Sequence, residues 1–184
     1  MGDDTAYLSG RLTLNPIAHV DPVGTLAVPA LCYIMGLPLF GWAKPVPVNA
    51  MRLPSPRRDM GKVALAGPAM NLLLALILVL VLKILTFFPG FLSGGGAKTV
   101  LYVFQYGIFI NVLLAVFNLM PIPPLDGGHI VSALLPFHAA LKYQMMFGRY
   151  GMFIVIALIV TGVFKYVLFP PVNFILSLFN KFLM

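Results

Sequence analysis

Between Lys98 and Asp126 the chain runs for 27 residues without a charged side chain. A helix of roughly 20 apolar residues is enough to cross about 30 Å of hydrocarbon. The part of this run up to Asn118 reads as such a helix. Two further runs approach the same length. Residues 63–88 are broken only by Lys83, and residues 148–169 carry Lys165 near their end. Each lysine is close enough to one end for its ammonium to reach the headgroups. The whole chain agrees, with 184 residues, 60% hydrophobic and 9% charged, and a mean hydropathy of +0.98. A soluble domain carries about 25% charged residues, so that class is excluded.

Residues 22–43 are equally apolar, but Pro29, Gly36, Pro38 and Gly41 interrupt them. Irregular backbone at membrane depth survives only where protein or a water-filled cavity satisfies it, so this stretch reads as a broken or re-entrant segment. In residues 44–49 valines alternate with prolines, which suits a short extended hairpin. Pro170-Pro171 should stop the third helix and leave residues 172–184 as an interfacial segment too short to span. The expectation is an all-α polytopic membrane protein forming a single domain over residues 1–184. It has three clear transmembrane helices, a broken or re-entrant segment and a short extended hairpin.

The twelve Lys and Arg outnumber the five acids by seven. They are spread between apolar stretches, which indicates membrane-facing loops and no nucleic-acid partner. Lys44, Arg52, Arg57, Arg58 and Lys62 cluster in one stretch with only Asp59 against them. The positive-inside rule therefore puts loop 44–62 in the cytoplasm of a multi-pass cell-membrane protein. Asp126 then lies towards the cytoplasmic side, and the turn at residues 89–98 lies outside. Cys32 cannot form an internal disulfide. The first twenty residues lack the apolar core of a signal peptide.

Asp126 ends the uncharged run, where an unpaired ionised group is expensive. It calls for a cation, a proton or a metal, or else it is a helix-start residue, since Asp also favours N-caps. The prolines before it unwind the backbone, and Gly127 and Gly128 permit close approach after it. All five acids are aspartates, and no glutamate occurs anywhere in the sequence.

FNLMPIPPLDGG at residues 117–128 resembles the third motif of the site-2 protease family, the membrane-embedded zinc metalloproteases of peptidase family M50. AGPAMN at 66–71 resembles that family's AGPxxN helix start, and GWAKPVPVN at 41–49 a further segment. RLTLNP at 11–16, with His19, Asp21, Pro22 and Gly24, is similar to the stretch after the catalytic helix in bacterial members. The resemblance implies one zinc ion held by two histidines of an HExxH helix and by Asp126. Histidines at i and i+4 share a helix face, and the adjacent glutamate activates the bound water. It implies that Asn118 orients substrate or stabilises the oxyanion. It implies a transmembrane protein substrate met within the lipid bilayer.

The HExxH helix is missing from these residues. The expectation is an N-terminally shortened protease, Met1 standing for an internal methionine, inactive on its own. The alternative is a non-catalytic pseudoprotease that binds membrane helices; a transporter is weaker, since no inverted repeat is visible. A site built from Asp126, His129 and His19 is conceivable. Against it, His129 reads as a helix-surface residue and His19 as a satisfied polar group in a turn. Gln105 and Asn111 read as ordinary interhelical amides, while Asn71 is evenly placed between that role and a substrate path.

Overall fold

The computed structural model describes residues 2–13, 15–36, 41–88 and 96–183. Leu14, Pro38 and most of the expected 89–98 turn lie outside the described residues. The chain divides into two compact units, Met1–Pro56 and Arg57–Met184.

The first unit is built from short elements fixed by side-chain caps. Helix α1 (Thr5–Leu8) follows Asp3. The Asp3 carboxylate accepts from the Thr5 amide at 3.0 Å and from the Asn49 amide at 2.8 Å. Arg52 pairs with Asp4. Asn15 caps a 3-10 turn at Pro16–His19, accepting from the Ile17 amide at 3.0 Å. Asp21 caps a π-helical turn at Pro22–Ala27, accepting from the Val23 and Gly24 amides at 2.9 and 2.8 Å. That turn leads into α2 (Val28–Ile34), which ends before Gly36 at φ +67°. Together they form an apolar helical segment, Pro22–Ile34, shorter than a membrane crossing. The Trp42 ring lies on Gly24, where a Cβ would meet indole carbons at about 2.5 Å.

The second unit contains α3 (Pro56–Thr86), α4 (Ala97–Asn118), α5 (Asp126–Leu134), α6 (Phe137–Val160) and α7 (Val163–Leu183). Pro56 opens α3 where a missing N–H costs nothing. Asp59 sits in the first turn, where the helix dipole favours a negative charge. The core is shared by α3, α4 and α7: Ala75, Val79 and Leu82 meet Ile108, Val112 and Val116, and Phe164, Leu168 and Val172 complete the cluster. Two contacts set the direction of α7. Its first turn meets the last turn of α4, with the Phe117 and Phe164 rings 5.5 Å apart. Its last residue meets the far end of α3, where Lys83 Nζ donates to the Leu183 carbonyl at 2.8 Å. Helix α7 therefore runs parallel to α3 and antiparallel to α4.

The all-helical membrane architecture stands, with five corrections. Among the described residues four helices, not three, are long and apolar enough to cross a membrane: α3, α4, α6 and α7. The expected third helix over 148–169 is divided at Thr161-Gly162. There Gly162 takes φ +71°, a left-handed residue that ends a helix cheaply only when it is glycine. Pro170-Pro171 does not end a helix; both lie inside α7. Pro171 is followed by the fully buried Val172 and preceded by buried Leu168, and such packing carries a helix past the lost hydrogen bonds in lipid. Residues 172–183 are thus the second half of a long helix rather than an interfacial segment. Finally, the 44–49 hairpin is absent, and no strand occurs among the described residues. Pro45 and Pro47 remove two amides from a ladder; the neighbouring amides of Trp42 and Lys44 instead bond the carbonyls of Gly24 and His19 at 3.0 and 2.9 Å. Arg57, Arg58 and Lys62, expected in a loop, occupy the first turns of α3.

Candidate functional site

Asn118 is the last residue of α4 and Asp126 the first of α5. The seven residues between them, rich in proline, cannot continue a helix. They close instead as tight turns: the Met120 amide bonds the Phe117 carbonyl at 3.1 Å, and the Leu125 amide the Ile122 carbonyl at 2.9 Å. The Pro123-Pro124 bond is cis. Helix α5 starts directly on this loop because its first turn has no side chains in the way. A Cβ on Gly127 would lie 2.3 Å from the Leu119 carbonyl oxygen, and one on Gly128 would lie 2.6 Å from the Pro123 nitrogen.

Helix α6 grips the same loop from outside. Tyr143, Phe147 and Gly151 follow one another at i, i+4 and i+8 on one face. The Tyr143 hydroxyl donates to the Pro121 carbonyl at 2.9 Å, and its ring meets that of Phe147 at 4.9 Å. Gly151 lies against the Pro123 carbonyl. Beside this face, Gln144 donates from Nε2 to the buried Ser132 hydroxyl of α5 at 2.7 Å. Both the loop and the helix that carries Asp126 are therefore held by α6.

The Asp126 carboxylate is half-buried and faces α3, where a Cβ on Gly67 would lie 3.1 Å from its Oδ2. It does not cap its own helix. Among the described residues none donates a hydrogen bond to it, and its electrostatic neighbour is His129, one turn on. Asn118 falls at a similar level. A Cβ on Gly107 of α4 would touch Leu78 of α3 at 3.0 Å. Asn118 is eleven residues on from Gly107, and Gly67 eleven back from Leu78. In antiparallel helices both steps cover about 16 Å in the same direction.

Other candidates are placed elsewhere or used otherwise. The His19 ring nitrogen Nε2 bonds the Thr13 carbonyl at 3.1 Å, so this histidine is a satisfied polar group in a turn. Asn111 Nδ2 donates to the Gly107 carbonyl of its own helix at 2.8 Å. Among the described residues no group of three or more His, Cys, Asp or Glu side chains could hold a metal. A carboxylate oxygen free of other donors suits one position on zinc, but a zinc site takes three or four protein ligands. Asp126 fits the metal as one ligand and does not complete a site within these residues.

The profile of peptidase family M50 matches residues 96–161, which span α4, the loop, α5 and α6. "Putative zinc metalloprotease YwhC" of Bacillus subtilis is 39% identical over 172 residues, covering 94% of this chain and 75% of that protein. This chain belongs to peptidase family M50. Two further relatives share the description "putative zinc metalloprotease". Rip2 of Mycolicibacterium smegmatis is 33% identical over 87% of this M50 chain and 58% of its own length. MJ0611 of Methanocaldococcus jannaschii is 39% identical over 40% of this chain and 34% of its own. No solved structure gives a significant match. The M50 resemblance carried by residues 117–128 is thereby borne out.

The grip of α6 on the loop was not foreseen from the sequence. Its signal was a glycine and a tyrosine eight residues apart on one face of the helix.

Proposed function

We propose that this chain forms the membrane-embedded part of a zinc-dependent endopeptidase that cleaves transmembrane segments of membrane proteins. Asp126 supplies one zinc ligand, and Asn118 is the polar donor beside the reacting carbonyl. The observation that carries this reading is the Asp126 carboxylate itself, half-buried, without a hydrogen-bond donor among the described residues, and facing a glycine. An ionised group left so in apolar surroundings is costly unless a cation completes it. Family membership and the descriptions of the relatives favour zinc as that cation. Bound zinc lowers the pKa of water towards 7 and polarises a carbonyl. The remaining ligands and the general base come from outside these 184 residues, which therefore have no cleavage activity alone. The basic residues of 44–62 face the cytoplasm.

The test uses the full reading frame that contains these residues, purified in detergent with a single-span reporter. Wild type should hold one zinc per chain and cut the reporter. Asp126→Ala should lose both. Asn118→Ala should keep zinc and lose about 10²–10³ in cleavage rate, the usual worth of an oxyanion donor. Full zinc in Asp126→Ala would overturn the assignment. Reporter bound uncut, with no zinc in wild type, would establish the helix-binding pseudoprotease instead.

A further inference from the structure

Arg58, Gly61, Lys62 and Leu65 stand at i, i+3, i+4 and i+7 on one face of the first turns of α3. With Ile130, Ala133 and Leu134 of α5 they line a cavity of about 330 Å³. Gly61 brings the two helices to backbone distance, since a Cβ there would lie 2.5 Å from the Ala133 Cβ. The groove along this contact is left uncovered: Leu134 is 80% exposed and Leu65 49%.

Its chemistry changes from one end to the other. Arg58 and Lys62 precede the apolar run that begins at Val63, and Leu65 lies within it. From Arg58 to Leu65 the helix rises about 10 Å, the step from headgroup to acyl chain. Arg58 is exposed and forms no ion pair among the described residues. Lys62 meets Asp59 at 2.7 Å, yet its side chain stays 64% exposed. The mouth is cationic and the walls are hydrocarbon. An acidic head group and an acyl chain match these two ends.

We propose that this groove binds an anionic phospholipid. The phosphate sits between Arg58 and Lys62, and one acyl chain lies along Leu65, Ile130 and Leu134. The site is distinct from Asp126 and does not depend on the protease reading. Basic clusters at the membrane surface hold acidic lipids in this way.

The test is native mass spectrometry of the chain released from nanodiscs of phosphatidylcholine containing a minor fraction of phosphatidylglycerol. Wild type should retain phosphatidylglycerol well above its bulk share. Arg58→Gln should lower that preference about fivefold, the factor of one basic residue at an anionic surface. Adding Lys62→Gln should lower it again by a similar factor, while Arg58→Lys should keep it. Leu134→Gln should reduce retention of both lipids. Circular dichroism of each exposed-site variant checks the fold, and Arg58→Lys serves as the folded reference. Equal retention of the two lipids by wild type, or an unchanged preference in the double glutamine variant, would overturn the proposal. Displacement by inorganic phosphate would reduce the site to an anion contact, and displacement by a polyleucine helix would assign the groove to a protein; either overturns it.

Discussion

A Cβ on Gly151 would lie 1.7 Å from the carbonyl oxygen of Pro123. Helix α6 therefore touches the loop before Asp126 with bare backbone, and no other residue type fits there without moving one of the two. Gly151→Ala should cost about 1–3 kcal/mol or more, the range for overpacking. The second unit would then melt several degrees lower in detergent, at about 2–4 °C per kcal/mol for a chain of this size. An unchanged melting temperature would show that α6 does not hold the loop.

Tyr143→Phe removes one hydrogen bond, that to the Pro121 carbonyl at 2.9 Å, and leaves the ring contact with Phe147. The expected loss is about 0.6–1 kcal/mol, as for single bonds within membrane proteins. Scanning calorimetry of the pair in matched detergent measures it. A larger loss than that of Gly151→Ala would make the tyrosine hydroxyl, and not the bare backbone contact, the main hold on the loop.

Gly67 is exposed on α3 and stands 3.1 Å, by its absent Cβ, from Asp126 Oδ2. If Asp126 ligates zinc, Gly67→Leu should leave helicity unchanged and weaken zinc affinity at least tenfold, because the side chain occupies the space in front of the carboxylate. Equilibrium dialysis of the full-length protein against a zinc chelator gives the number. Wild-type affinity in that variant would mean the metal approaches Asp126 from another side.

In the first unit, hydrogen bonds from Thr5 and the Asn49 amide hold the Asp3 carboxyl below its usual pKa of 3.8. A group whose folded pKa is depressed stabilises the fold above the unfolded pKa and loses that contribution as pH falls through the folded value. The Asn49 and Thr5 amides should accordingly exchange faster as pH drops below about 4, after correction for intrinsic exchange. Asp3→Asn should abolish this pH dependence.

What could be read from the chain divides along physical lines. The cores of α3 and α4 were legible because long uncharged runs have few alternatives in lipid, and Asp126 stood out as the lone acid after residue 59. The junction at Thr161-Gly162 was hidden, since a glycine within an apolar run looks the same whether it takes a helical φ or the observed +71°. Pro170-Pro171 misled for the opposite reason: proline's local cost is large, but the buried Leu168 and Val172 on either side outweigh it. The 44–49 hairpin was inferred from alternation alone, and alternation cannot report that the Lys44 amide is taken by His19 and the Asn49 amide by Asp3.

The bond from Lys83 to the Leu183 carbonyl settles a question of parity. Helices α3, α4 and α7 make three passes along the bundle, so the polypeptide enters at Pro56 and leaves at the opposite end. Pro56 and Leu183 therefore stand about 40 Å apart, the rise of α3 from Pro56 to Lys83. Spin labels at those two points should report that separation and not proximity.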